Sequence, residues 1–215
     1  MKISLFNRLR KQLHRDIASL QDEVLEIVYS VEPKAVLHGG TSIWRCFAGN
    51  RFSEDLDFYF KPKENFKSEL EIALKARGLK LNKYKQTSTT IFSKISNERV
   101  EVRLEANMIT TIKRPVVQAY EKLDGTYTNV FALSVEDLIL EKLITYTNRK
   151  LIRDIYDVYF LSNQAQVSNE TEKKIKDLLK QLPLPADEKD LKAIVYAGAV
   201  PSFEQIKQAL LLKYS

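Results

Sequence analysis

Apolar residues recur at three- and four-residue steps from the start of the chain: Leu5, Leu9, Leu13, Ile17, Leu20, Val24 and the pair Ile27-Val28. That spacing puts them on one stripe of a helix, so the first thirty residues predict one long amphipathic helix. His14 falls on its polar side beside Arg15 and Asp16 and reads as solvated. Pro33 ends the helix. Ala35-Val36-Leu37 is a short buried strand, and Gly39-Gly40 a turn. Thr41 is placed to cap a helix through Ile43, Trp44 and Phe47, which Gly49-Asn50 closes. Leu56 to Phe60 reads as a strand ended by Lys61-Pro62, and Glu64 to Ala76 as a helix stopped by Gly78. Three strands follow, at Leu79 to Tyr84, Thr89 to Ile95 and Arg99 to Asn107, with Ser96-Asn97-Glu98 turning between the last two. Met108 to Asp124 shows no clear period. Asp124-Gly125 is a turn, and Val130-Phe131-Ala132 reads as a last edge strand.

From Ser134 the pattern becomes helical. Ser134-Val135-Glu136-Asp137 has the form of an N-cap with an acid at the third helical position. Helices run to about Asn148, then over Ile152 to Leu161 and Asn169 to Gln181. Pro183 and Pro185 interrupt, and helices at Asp187 to Tyr196 and Ser202 to Leu212 follow. The fold class is therefore α+β: a mixed sheet with flanking helices over residues 1–133, then an all-helical part over 134–215. No Gly/Ser-rich linker separates them, so the two parts are expected to pack closely.

Composition narrows the function classes. No run of 18 apolar residues occurs, so no membrane span is expected. The start, Met1 to Leu5, passes into a charged helical pattern without a secretory apolar region, and a cytoplasmic location is the expectation. One cysteine, Cys46, excludes an internal disulfide and reads as a buried, inert thiol. Two histidines make a Cys/His zinc cluster a poor fit. A net charge of +6 and a pI of about 9.2 lean toward an anionic partner such as a nucleotide or RNA. Lys80, Lys83 and Lys85 read as a solvated edge strand, or as one side of a basic cleft with Arg149 and Lys150.

The densest chemistry lies between Leu37 and Phe58. Gly39 and Gly40 let the backbone approach a ligand closely. A helix starting at Thr41 would point free N–H groups at a phosphate, with the Thr41 and Ser42 hydroxyls as further donors. Asp55 and Asp57, at i and i+2, share one strand face. Two crowded carboxylates repel unless a cation lies between them, and magnesium takes carboxylates together with phosphate oxygens. Alone, either feature reads as an ordinary turn or a solvated edge; in this order they indicate metal-nucleotide chemistry. A two-metal site needs a third acid. Glu101 and Glu105 both lie on the polar face of Val100 to Glu105, and Glu105 is preferred. Further on, Lys142 projects from an apolar helix and suits a triphosphate. Asp154 and Asp157, at i and i+3, share a helix face. They read as partners of Lys142 and Arg149 or Arg153 in an interhelical network, which would also position the lysine.

Together, Gly39-Gly40-Thr41, Arg45 and the run Arg51 to Phe58 resemble the signature of the AbiEii/AbiGii nucleotidyltransferase toxins, within the DNA polymerase β-like superfamily. Asp137-Leu138, Glu141-Lys142-Leu143, Arg149, Arg153-Asp154 and Tyr156 to Tyr159 are similar to that family's C-terminal signature. The resemblance spans roughly residues 35 to 162. It implies a polymerase β-like core, magnesium (or manganese), a nucleoside triphosphate substrate, transfer to RNA including the tRNA 3′ end, and an antitoxin partner. Carried over, Gly39, Gly40, Thr41 and Ser42 bind the nucleotide and Asp55 and Asp57 hold metal, while no clear motif fixes the third acid between Glu101 and Glu105. Lys142 binds the triphosphate and Asp154 is the acid of the last motif. Two other functions stay open: nucleotide transfer to a protein side chain, and a binding module without catalysis.

Overall fold

The computed structural model describes residues 3–108 and 115–214. Met1-Lys2 and positions 109–114, within the stretch of no clear period, lie outside them. The amphipathic start forms two helices, not one: α1 at Leu5–Arg8 and α2 at Gln12–Val31. The apolar stripe runs on through the break in sequence, but the chain turns at residues 9–11. The Phe6 N–H donates to the Leu123 carbonyl there, and the Arg15 side chain to the Leu9 carbonyl. The turn buries both Leu5 and Leu9 and leaves Leu13 exposed. It also brings His14 inside, stacked on the Phe52 ring at 3.9 Å rather than solvated.

Among the described residues seven strands form one sheet: β1 Val36–His38, β2 Leu56–Tyr59, β3 Lys80–Gln86, β4 Thr90–Ser96, β5 Glu101–Asn107, β6 Val116–Glu121 and β7 Tyr127–Ala132. Their order is β3-β4-β5-β2-β1-β7-β6. The pairs β1–β7 and β2–β5 are parallel and the others antiparallel. The mixed sheet of an α+β fold is therefore present. Val130–Ala132 is not an edge: β7 lies inside, between β1 and β6. Its partner β1 is nearly a hundred residues away, and a local pattern carries no trace of such pairing.

Helices α3 Gly39–Cys46, α4 Phe66–Ala76, α5 Val135–Arg149, α6 Ile152–Ser162, α7 Asn169–Lys180, α8 Leu191–Ile194 and α9 Phe203–Tyr214 complete the chain. A 3-10 turn at Glu188–Asp190 and the short α8 replace the helix expected over Asp187 to Tyr196. Val195 instead bridges to Arg51 as a single β pair. The Ser134 Oγ caps α5, accepting from the Asp137 N–H at 3.1 Å. Lys150 takes a left-handed conformation at φ 53° and ends that helix, so α6 starts after one further residue and doubles back on α5.

One apolar core gathers α2, α4 and the inward face of the sheet, all from residues 5–132. Each large side chain that α2 buries there contributes about 1.5–3 kcal/mol. A second core joins α5–α9 and reaches back to Val36 and Ile43. Arg45, fully inside, ties α3 to both neighbours. It pairs with Asp22 of α2, donates from Nε to the Glu121 carbonyl of β6 at 2.6 Å, and lies over the Trp44 and Tyr120 rings.

Candidate active site

His38 caps α3, so Gly39 and Gly40 form the helix's first turn rather than a turn before Thr41. Gly39 has φ +70°, a region that costs a side chain energy. A Cβ on it would also meet Asp57 Oδ2 at 2.5 Å, and one on Gly40 would meet Ser53 Oγ at 2.6 Å. The helix start and the acidic strand thus touch backbone to carboxylate. Asp57 pairs in register with His38 of β1 and with Glu105 of β5. Asp55, two residues before Asp57, shares its face.

These groups line a cavity of about 390 Å³ between the sheet and α5. Gly39, Gly40, Ser53, Asp55, Asp57, Glu105 and Lys142 all border it, with Arg51, Arg103, Arg149 and Arg153. Thr41 and Ser42 do not. Both are fully buried, and Thr41 Oγ1 donates to the Asp55 carbonyl. Its hydroxyl positions the acidic strand, whereas Ser53 brings a hydroxyl to the cavity wall beside Gly40. Glu101 sits away at the sheet's exposed end, paired with Lys94 at 2.6 Å and bonded by Asn82. Of the two candidate third acids, Glu105 is the one beside Asp57.

Electrostatics single out the acidic pair. Burial raises the pKa of Asp55, and Glu105 adds to the rise, while Arg103 and Arg153 oppose it. Burial raises Asp57 as well; His38 opposes, and Asp55 and Glu105 add. Arg103 forms an ion pair with Asp55. Lys142 Nζ lies 2.9 Å from Asp157 and 3.3 Å from Asp154. Arg149 donates twice to Asp154, at 2.7 and 2.8 Å, and Arg51 twice to Asp157, both at 2.5 Å. Asp154 is therefore a fully enclosed partner of Lys142 and Arg149 and does not border the cavity. The interhelical network and the cavity-facing lysine are one structure. Its counter-charges hold Asp157 below the usual carboxylate range despite burial.

Arg51 and Ser53 stand within the Arg51 to Phe58 run but had no role of their own there, and Arg103 signals itself only by sharing the strand face of Glu105. His38, Tyr59 and Glu141 form a further cluster. The His38 and Tyr59 rings stack at 3.8 Å, His38 Nδ1 lies 3.3 Å from Glu141, and the Tyr59 hydroxyl donates to the same carboxylate. Lys80, Lys83 and Lys85 are exposed on edge strand β3 and do not border the cavity, whereas Arg149 does. Cys46 is half-buried, and burial pushes its thiol up to about 12.

The donor set suits a hard divalent cation. Asp55, Asp57 and Glu105 are oxygen donors on one sheet face, and their mutual repulsion is what a cation relieves. As they stand, no three His, Cys, Asp or Glu among the described residues converge to hold an ion, and Arg103 provides the charge opposite Asp55. No described helix is long and apolar enough to cross a membrane.

Solved structures share this arrangement of elements. JHP933 from Helicobacter pylori superposes with a TM-score of 0.69 at 21% identity, covering 95% of this chain and 91% of its own. MenT4, a nucleotidyltransferase toxin from Mycobacterium tuberculosis, gives 0.64 at 16% identity, covering 93% and 82%. A search of curated proteins returned no match. The family described as nucleotidyl transferase AbiEii toxin, type IV toxin–antitoxin system, matches residues 26–195. With the sheet-borne acids, the glycine helix start and most of the chain inside that match, the protein belongs to the AbiEii family and is a nucleotidyltransferase.

Proposed function

We propose that this chain transfers a nucleoside monophosphate from a nucleoside triphosphate to an RNA hydroxyl, with tRNA as the favoured acceptor, and that it is the toxin of a toxin–antitoxin pair acting in the cytoplasm. Residues 1–133 are the catalytic unit and 134–215 the helical unit that closes the cavity. The observation that carries this reading is the registered pair Asp57–Glu105, with Asp55 on the same face and the Gly39 helix start pressed against Asp57. Asp55, Asp57 and Glu105 would hold magnesium, with manganese a substitute. The ion would supply Lewis-acid stabilisation of the phosphate charge.

The chain's own groups do the rest. The amides of Gly39 and Gly40 and the Ser53 hydroxyl face the triphosphate at the start of α3. Lys142, Arg149 and Arg153 balance its charge from the helical side. The acceptor hydroxyl gives up its proton to solvent as its oxygen bonds to the α-phosphorus, the bond from that phosphorus to the bridging β-phosphate oxygen breaks, and pyrophosphate leaves. Positioning and electrostatics supply the rate, with no covalent enzyme intermediate. Asp154 and Asp157 are positioning residues that hold Lys142. The antitoxin is a protein partner of unassigned surface.

The test is transfer of label from each radiolabelled nucleoside triphosphate, with magnesium and total RNA, beside an Asp55→Asn/Asp57→Asn control. Label in RNA from the wild type alone supports the reading. Label in protein would replace the acceptor, and triphosphate binding without any transfer would leave a binding module.

A further inference from the structure

The lysines of β3 acquire a role once the strand registers are read across the sheet. Lys83 lies opposite Lys94, and Lys94 opposite Arg103. Three cations therefore form one row over three neighbouring strands, on the face that carries Glu105. Like charges placed directly opposite one another destabilise a strand pair. The next row runs Lys85, Phe92, Glu105 and then Asp57, straight into the cavity. The opposite face of these strands is the apolar core, through Ile91, Ile95, Val102 and Leu104. Only the cationic face is open.

The charges there are unevenly matched. Lys94 is paired with Glu101, and Arg103 with Asp55. Lys80, Lys83 and Lys85 have no carboxylate partner among the described residues. Lys83 instead holds its ammonium over the Phe92 ring at 5.3 Å, which fixes that cation above the sheet. From β5 to β3 is two strand spacings, about 10 Å. A linear polyanion with its end in the cavity would cross this face.

We infer that the open face of β3–β5 is the acceptor platform and that its occupant is the single-stranded 3′ end of an RNA. The terminal hydroxyl lies beside Asp57 and Glu105, and the phosphates upstream of it cross Arg103 and Lys94 to Lys83 and Lys85. A chain of regularly spaced phosphates matches a row of regularly spaced cations, and sequence-tolerant strand binding combines such rows with an aromatic ring. The inference rests on the RNA-acceptor reading and adds the surface to it.

Fluorescence anisotropy tests it without catalysis. A fluorescein-labelled single-stranded RNA of about twelve nucleotides is titrated with the full chain, metal-free, from about 50 to 200 mM salt. The variant is Lys83→Glu/Lys85→Glu. The control, Lys173→Glu/Lys176→Glu on α7, makes the same change of net charge elsewhere. The platform predicts at least tenfold weaker binding in the variant, a salt slope shallower by about 1.4, and affinity within twofold of wild type in the control. Equal losses in variant and control, an unaffected variant, or a wild type that binds no RNA would overturn it. Absent transfer with this pattern of binding would defeat the catalytic reading and leave the platform standing.

Discussion

At Asp57 and Gly39 the proposed chemistry and the stability of the fold make separable demands on one residue. Burial and two neighbouring carboxylates raise the Asp57 pKa, so the folded chain keeps that proton to higher pH than the unfolded chain does. The contribution of Asp57 to stability therefore falls as pH rises from the ordinary aspartate value through its higher folded pKa, and stays lower above it. Asp57→Asn removes that cost. In chelator near neutral pH the variant is expected to unfold at a higher urea concentration than wild type, while transfer falls roughly 10³-fold. A variant that unfolded more easily and still transferred label would make Asp57 a structural residue. Gly39→Ala has the opposite signature. Its Cβ meets Asp57 Oδ2 at 2.5 Å and its φ of +70° strains any side chain, so stability drops by about 1–2 kcal/mol. Transfer drops much further, because the carboxylate is displaced. Equal activity per folded molecule would show that the close contact has no catalytic consequence.

The same separation recurs at the level of α5 and α6, which share the chain Arg51–Asp157–Lys142–Asp154–Arg149. Asp157→Asn leaves Arg51 buried opposite a neutral partner, while Lys142 keeps Asp154, and breaking such a buried pair costs about 3–5 kcal/mol. Chemical unfolding measures this directly, and a loss under about 1 kcal/mol would mean that the network is incidental. The pH dependence has the usual carboxylate sign. Asp157 sits below the ordinary aspartate value, so its contribution is complete above that value and is lost as pH falls through the folded one. Wild type should lose stability below about pH 4 more steeply than Asp157→Asn. What the sequence disclosed follows from distance along the chain. Gly39-Gly40 and Asp55/Asp57 are close in sequence and stand on one strand–helix–strand segment, so their meeting was legible. The alternation of Val100 to Glu105 put Arg103 beside Glu105, yet Glu101 and Glu105 separated only when β2 paired with β5. Arg51 reaches Asp157 across 106 residues, and β7 reaches β1 in parallel; neither leaves a local period. Leu13 misled for the converse reason, because the apolar stripe continues where tertiary contacts turn the backbone.

Across the whole molecule, the cavity divides its lining between two cores. The acids and the glycine turn stand on the sheet, which packs with α2 and α4, whereas Lys142 and Arg149 project from α5 in the helical core. Among the described residues, five cations face four carboxylates around it, so a bound polyphosphate with its cation is attracted from both sides. Such a ligand is held only while both cores keep their relative placement, and binding must therefore stabilise them together. At a concentration 100 times its dissociation constant, a nucleoside triphosphate with magnesium should raise the unfolding free energy by about 2.7 kcal/mol. Hydrogen exchange locates that gain. Amides of β2 and β5 and amides of α5 and α6 should slow together when the ligand is added. Protection confined to the β2 and β5 amides would place the ligand on the sheet alone, and Lys142 would then be a structural lysine. Protection at both, lost from both in Lys142→Met, would make that side chain the coupling between a sheet that carries the acids and a helical layer that carries the positive charge.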